Sequence, residues 1–307
     1  MQTILGSNGV IGTNIAKTLP QYTNDIRLVS RNPKKVNETD ELHSADLLNT
    51  FQISKAIEGS EVVYLCAGLP YTLQVWKEQW PVIMKNVINA CKQHNSKLVF
   101  FDNVYPYGKV NGWMTEETLY NPCSKKGEVR AAIATQLMDE TKNGNLQAMI
   151  VRGADFYGPQ TPLSFLNVMV FENYAKGKKA QLMISDKTKH TFTYTPDAGK
   201  ATALLGNTPG AYNQIWHAPA DKNALTGKEF AKLAAQAFGV QPNYMVLPKW
   251  MIRMAGLFDS NIASAVEMLY QNEVDYLLSS EKFENAFPDF KITSYKDGIE
   301  ATATSMK

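Results

Sequence analysis

The chain has 307 residues, 44% hydrophobic and 20% charged, with a formal net charge of +2. That is an ordinary globular composition, long enough for one large domain or two intimate ones. It gives no electrostatic support to nucleic-acid or membrane binding, and no apolar run reaches the length of a membrane span.

The first element is a short apolar strand, Gln2–Leu5, which leaves no room for a basic leader and points to a cytoplasmic protein. It runs into Gly6-Ser7-Asn8-Gly9-Val10-Ile11-Gly12, glycines at G-x-x-G-x-x-G spacing, and then into a helical pattern at Val10, Ile11, Ile15, Ala16 and Leu19. Glycine serves where the turn is tight and where a ligand must approach the backbone, and the helix N-terminus offers unpaired N–H groups to a diphosphate. A plain strand-to-helix turn is the alternative, but the flanking elements supply the context a dinucleotide site requires.

Strand signals follow at Ile26–Ser30, Glu61–Ala67, Lys97–Asp102 and Gln147–Arg152, with helical patterns over Leu47–Glu58, Tyr71–His94 and Ser124–Thr141. Near-continuous apolar strands joined by helices predict a doubly wound parallel sheet, an α/β Rossmann architecture. After the second strand the chain reads Ser30-Arg31-Asn32-Pro33-Lys34-Lys35, without the acid that an NAD site usually places there. An arginine there matches a 2′-phosphate, which favours NADP, with NAD as the alternative cofactor and a solvated basic loop as the plain reading.

From Gly158 the texture changes. Helices are expected over Leu163–Lys176, Asp197–Leu205 and Thr226–Phe238, the last capped by Thr226, and in a tail from Pro248 to Tyr276. Strand-like stretches lie in Gln181–Thr195 and Asn213–Pro219. The expected division is a dinucleotide-binding domain over 1–157 and a smaller mixed α/β substrate domain over 158–307, with 190–219 returning to the first. The three cysteines are scattered and suit a reducing compartment, and the four histidines lack partners at metal-ligand spacing, so no metal is expected.

Several ordered segments carry a resemblance to the extended short-chain dehydrogenase/reductase superfamily, in its epimerase/dehydratase-like group. They are the glycine turn, Ala45-Asp46-Leu47, Cys66-Ala67-Gly68, Asp102-Asn103-Val104-Tyr105-Pro106-Tyr107-Gly108, the Val151–Pro159 crossing and Thr193-Tyr194-Thr195-Pro196-Asp197. The resemblance implies a nicotinamide cofactor. It implies that Asp46 meets the adenine amino group, although an N-cap for the next helix is the plainer role for that residue. Leu47 would pack near the adenine ring, and Ala67 and Gly68 would line the path to the nicotinamide ribose. Asn8, Val10, Ile11, Ser30, Arg31, Asn103, Ala154 and Phe156 complete the implied cofactor set. A small polar or sugar-like substrate and a monomer or homodimer are the implied partners.

The superfamily's redox chemistry uses Tyr-x-x-x-Lys on the helix after the fifth strand, and a Ser or Thr at that strand's end. Here Lys126 takes the tyrosine position, Arg130 the lysine position and Asn103 the Ser/Thr position. An arginine stays charged and cannot shuttle a proton, whereas a lysine can if burial and a nearby cation lower its pKa. Lys126 with Arg130 four residues away on one face is such an arrangement. Tyr105 and Tyr107 leave the strand end in a loop broken by Pro106 and Gly108 and are substitute acids, with aromatic packing as the plainer role. Trp76 and Trp80 share a helix face, so packing competes with roofing the cleft. The missing pair leaves two functions open: an atypical oxidoreductase or epimerase, and a non-catalytic NADP-binding sensor.

Overall fold

Seven short strands of mostly buried residues pair in parallel in a computed structural model that describes residues 1–307 apart from the side chain of Asn261. The first five are β1 (Gln2–Leu5), β2 (Ile26–Ser30), β3 (Glu41–Ser44), β4 (Val62–Leu65) and β5 (Lys97–Asn103), followed by Ala148–Gly153 and Ile215–His217. Their spatial order is Ile215–His217, Ala148–Gly153, β5, β4, β1, β2, β3. Leu5 lies opposite Val29 on one side and Leu65 on the other, so order reverses around β1. In such sheets ligands bind outside the carboxyl ends of the strands at this reversal.

β3 is absent from the strand signals because it is an edge strand with mostly exposed side chains, Glu41, Leu42 and Ser44 among them. An edge strand need not be apolar on both faces, so it leaves no continuous hydrophobic run.

Four helices connect the first strands: α1 (Val10–Thr18), α2 (Thr50–Ile57), α3 (Leu73–His94) and α4 (Lys125–Lys142). Ile53 and Ile57 of α2, Trp80 and Val87 of α3 and Ile133 and Leu137 of α4 share one core with Leu65 and Phe100. On the other face Ile11 and Ile15 of α1 pack with Ala198 and Leu205 of the helix Thr195–Gly206, over Tyr64 and Val99. Two layers of helices thus cover the sheet, as the apolar strand pattern requires.

Beyond the sheet, Phe192–Tyr194 pairs in parallel with Asp155–Tyr157, and Tyr244–Leu247 with Ala180–Met183. Helix Gly227–Phe238 opens on a capping box between Thr226 and Glu229, the expected cap. The expected helix over Leu163–Lys176 contains a π-turn at Asn167–Phe171. The tail divides into Lys249–Ala255, Ser260–Ala265 and a 3₁₀ stretch, Val266–Asn272. Two further helices, Glu281–Ala286 and Tyr295–Thr304, had no periodicity strong enough to mark them; Phe283 returns to the sheet core and Ile299 to the outer core. Among the described residues no helix is long and apolar enough to cross a membrane.

Candidate functional site

The glycine turn is built by contacts that a side chain would break. Gly6 has φ +90°, and a Cβ there would stand 2.6 Å from Ala67 Cα; one at Gly12 would stand 2.7 Å from the Gly6 carbonyl oxygen. Gly9 differs: its φ of −73° suits any residue, and its Cβ would meet protein no closer than 3.2 Å. The fold therefore demands two of the three glycines, and at the third a side chain fits only if the Gly6 carbonyl gives by a few tenths of an ångström.

Gly9 caps α1 without a side-chain hydrogen bond, and no acid stands in the first turn. The amides of Val10, Ile11 and Gly12 thus lack intrahelical partners, an anion-binding geometry. Two hydroxyls at these strand ends, Ser7 Oγ and Ser30 Oγ, are buried without a partner. Asn8 ties the turn to the loop after β2, donating from Nδ2 to the Asn32 carbonyl at 2.7 Å and accepting from the Lys34 amide at 3.3 Å. Arg31 on that loop is exposed.

Asp46 does not cap α2. Asn49 does, accepting from the Gln52 amide at 3.0 Å, because the helix begins at Thr50. Asp46 instead closes a small turn, its Oδ1 accepting from the Leu48 amide at 3.0 Å, and the residue is exposed. Leu47 is half-buried against the α2–α3 core. Ala67 is half-buried, Gly68 is exposed with free space where a Cβ would be, and Ala154 is buried with its amide held by Thr193 Oγ1 at 3.0 Å. Phe156 packs on Phe101, ring centres 5.7 Å apart.

At the end of β5 the Asn103 side chain accepts from the Tyr105 amide at 3.0 Å and starts a 3₁₀ turn over Tyr105–Tyr107. The two tyrosines diverge. Tyr105 shares a hydroxyl hydrogen bond of 2.9 Å with Tyr71, and burial pushes both phenols up, the Asp155 charge adding to the effect. Tyr107 is fully buried and donates to His217 Nε2 at 2.8 Å, since His217 Nδ1–H is committed to the Ser279 carbonyl at 2.7 Å. Burial lowers the His217 pKa to about 3 and raises that of Tyr107 to about 12, so both are neutral.

Lys126 and Arg130 do not face one another as expected. Arg130 points into the sheet core, where its Nε donates to Asp102 Oδ1 at 2.6 Å and its guanidinium lies 4.3 Å from the Trp80 ring centre. Asp102 also accepts from Arg152 Nε at 3.2 Å, so one buried carboxylate holds two buried guanidiniums. Trp76 and Trp80 are thereby packing residues, edge to face at 6.4 Å. Lys126 turns the other way: Nζ lies 2.9 Å from Glu267 Oε1, bonds the Ser264 carbonyl and stands 4.5 Å from the Tyr71 ring centre. Burial lowers its pKa and Glu267 opposes that; the expected Arg130 cation has no part.

Sequence reasoning missed Tyr71, Glu267, His217 and Arg152. Tyr71 alone had a signal, its place just after Cys66-Ala67-Gly68 at the sheet's carboxyl edge. Asp155, from the Val151–Pro159 crossing, borders a cleft in the outer layer with the unmarked His190, whose Nε2 stands 3.3 Å from Asp155 Oδ2 without the alignment of a hydrogen bond.

A model of the "NAD dependent epimerase/dehydratase family" matches residues 3–215. No curated protein sequence matches significantly. Solved structures similar to the chain include UDP-glucuronic acid 4-epimerase from Bacillus cereus in complex with NAD, at 16% identity and TM-score 0.81, covering 100% of this chain and 98% of that one. UDP-glucose 4-epimerase from Thermus thermophilus, also with NAD, is 18% identical at TM-score 0.79, covering 100% and 99%. A dTDP-glucose 4,6-dehydratase from Streptomyces venezuelae is 14% identical at TM-score 0.78, covering 99% and 96%.

Proposed function

The chain belongs to the NAD dependent epimerase/dehydratase family, and from that premise we propose an NAD(P)-dependent oxidoreductase or epimerase acting on a small polar or sugar-like molecule. The observation that carries the reading is the glycine turn. It opens α1 without cap or acid, beside the reversal of strand order, with Ser7 and Ser30 hydroxyls buried and unpartnered. These donors suit a diphosphate and a ribose.

In this reading Gly6, Asn8, Gly9, Val10, Ile11 and Gly12 hold the diphosphate. Ser30 and Arg31 hold the adenosine ribose with its 2′-phosphate, and Asp46 and Leu47 the adenine. Ala67, Gly68, Asn103, Ala154 and Phe156 border the nicotinamide. The bound cofactor supplies hydride acceptance and return. The chain supplies the proton work: Tyr105 and Tyr71 stay protonated at neutral pH, and one hydroxyl donates to the other, which donates toward a substrate oxygen. Lys126, over the Tyr71 ring, stabilises negative charge developing there. Tyr107 and Arg130 hold this end of the sheet in shape. The free cysteines suit the cytoplasm, and the assembly is a monomer or homodimer.

Calorimetry tests the cofactor assignment. NADP should bind more tightly than NAD, and Arg31→Ala should cost NADP roughly 1.5–3 kcal/mol while barely affecting NAD. Tighter binding of NAD would overturn the NADP preference, and binding of neither would overturn the function. A second reading, a non-catalytic NADP-binding redox sensor, is favoured by one observation: Lys126 and Arg130 are both held in ion pairs. Hydride transfer to or from any substrate excludes it.

A further inference from the structure

The cleft beside Asp155 narrows the substrate, an inference that rests on the oxidoreductase reading. Its walls include Phe165, Met169, Met183 and Phe192, and its polar lining is Asp155 and His190 with Gln181, Ser185, Thr188 and Asn272. Asp155 is the one Asp, Glu, Lys or Arg among the described residues that line it. His190 is buried and stacked on Phe192, ring centres 4.7 Å apart and planes within 3°, so its imidazole is fixed. Its Nε2 is buried without a hydrogen bond, 3.3 Å from the Asp155 carboxylate. The cleft adjoins the proposed proton groups: Phe165 packs edge-on against Tyr71 at 6.2 Å, and Tyr71 bonds Tyr105.

A diphosphate is held best by cations, and no lysine or arginine stands among the described residues that line the wall. At the helix that begins at Gly227, two of the first three amides are already taken, that of Glu229 by Thr226 Oγ1 at 3.2 Å and that of Lys228 by the Asp186 carbonyl at 3.0 Å. The Glu229 carboxylate, accepting from the Thr226 amide at 2.8 Å, already sits at that helix end. A phosphate brought beside Asp155 would meet like charge in a low-dielectric wall. An apolar body, by contrast, would bury surface against the methionines and phenylalanines, and one hydroxyl or carbonyl would satisfy His190 Nε2.

We infer that this cleft takes an uncharged molecule with an apolar flank and a hydroxyl or carbonyl directed at His190 Nε2, and that it rejects nucleoside diphosphate sugars.

Saturation-transfer NMR on the full chain with NADP tests this, using benzaldehyde, cyclohexanone and cinnamyl alcohol as neutral probes and UDP-glucose and UDP-glucuronic acid as charged ones. At least one neutral probe should bind, and millimolar UDP-glucose should not displace it. Gln181→Lys places a cation in the lining and should raise UDP-glucose affinity at least tenfold. Unchanged NADP affinity in that variant shows that it is folded. Displacement of the neutral probes by UDP-glucose in the unmodified protein overturns the inference, and so does failure of every neutral probe to bind. Neutral binding without hydride transfer supports the cleft assignment while overturning the oxidoreductase reading, so the two fail separately.

Discussion

Lys126 Nζ lies 2.9 Å from the carboxylate of Glu267, a residue 141 positions further along the chain. The lysine is fully buried and the acid is partly exposed. Two influences oppose each other: burial favours the neutral amine and Glu267 favours the ammonium. The balance decides whether this lysine can exchange a proton near neutral pH.

Lys126→Met should therefore reduce turnover at least tenfold and leave NADP affinity unchanged. Glu267→Gln removes the group that raises the lysine pKa, so the amine should lose its proton at lower pH. Because Lys126 is proposed to act as a cation, the basic limb of the pH–rate profile should move to lower pH in Glu267→Gln. A purely structural lysine leaves that limb in place, and full activity in Lys126→Met removes the residue from the mechanism.

Asp102 has no such freedom, because it is the shared partner of two buried arginines. Asp102→Asn leaves Arg130 and Arg152 facing each other without a counter-charge, and breaking a buried pair in this way costs about 3–5 kcal/mol. Urea unfolding should show that loss as a lower midpoint with an unchanged slope. A loss below about 1 kcal/mol, well short of that range, would mean that the guanidiniums find other partners.

His217 makes folding acid-sensitive. Its folded pKa is about 3, below an ordinary value of about 6.5, so the unfolded chain binds the proton first. Between those two values the unfolded state holds more protons, and stability falls as pH falls, by up to roughly 1.4 kcal/mol per pH unit. Above pH ~6.5 this contribution is fully present. His217→Gln should flatten the dependence of the urea midpoint on pH between ~6.5 and ~3. An identical slope in the variant would place the acid sensitivity elsewhere.

The glycines should separate folding from binding. Gly6→Ala forces a clash with Ala67 at a left-handed φ and should lower the melting temperature. Gly9→Val keeps an allowed φ and meets one tight contact, 3.2 Å to the Gly6 carbonyl oxygen, so it should abolish dinucleotide binding with a smaller change in melting temperature than Gly6→Ala. Unchanged NADP affinity in Gly9→Val would remove the turn from the cofactor site.

The parts legible in the sequence are those set by neighbours a few residues apart. Strand, glycine turn and helix within the first 18 residues form one local unit, and the apolar runs of β1, β2, β4, β5 and Ala148–Gly153 declare a parallel sheet buried on both faces. Burial on both faces favours apolar side chains at most positions, which is why these strands are visible and the exposed edge strand β3 is not. That the stretch 124–141 contains no tyrosine is equally plain in the sequence, but not what Lys126 and Arg130 do there. Lys126 and Arg130 lie four apart and were expected to act on each other. Folding turned Arg130 inward to Asp102, 28 residues away, and Lys126 outward to Glu267. Tyr105 and Tyr107, two apart, separated in the same way, one to Tyr71 and the other to His217, 110 residues off. A buried charge or hydroxyl must find a partner, and its residue type announces that need. The partner's identity depends on which distant segments the sheet order brings together, so only the tertiary structure decides it.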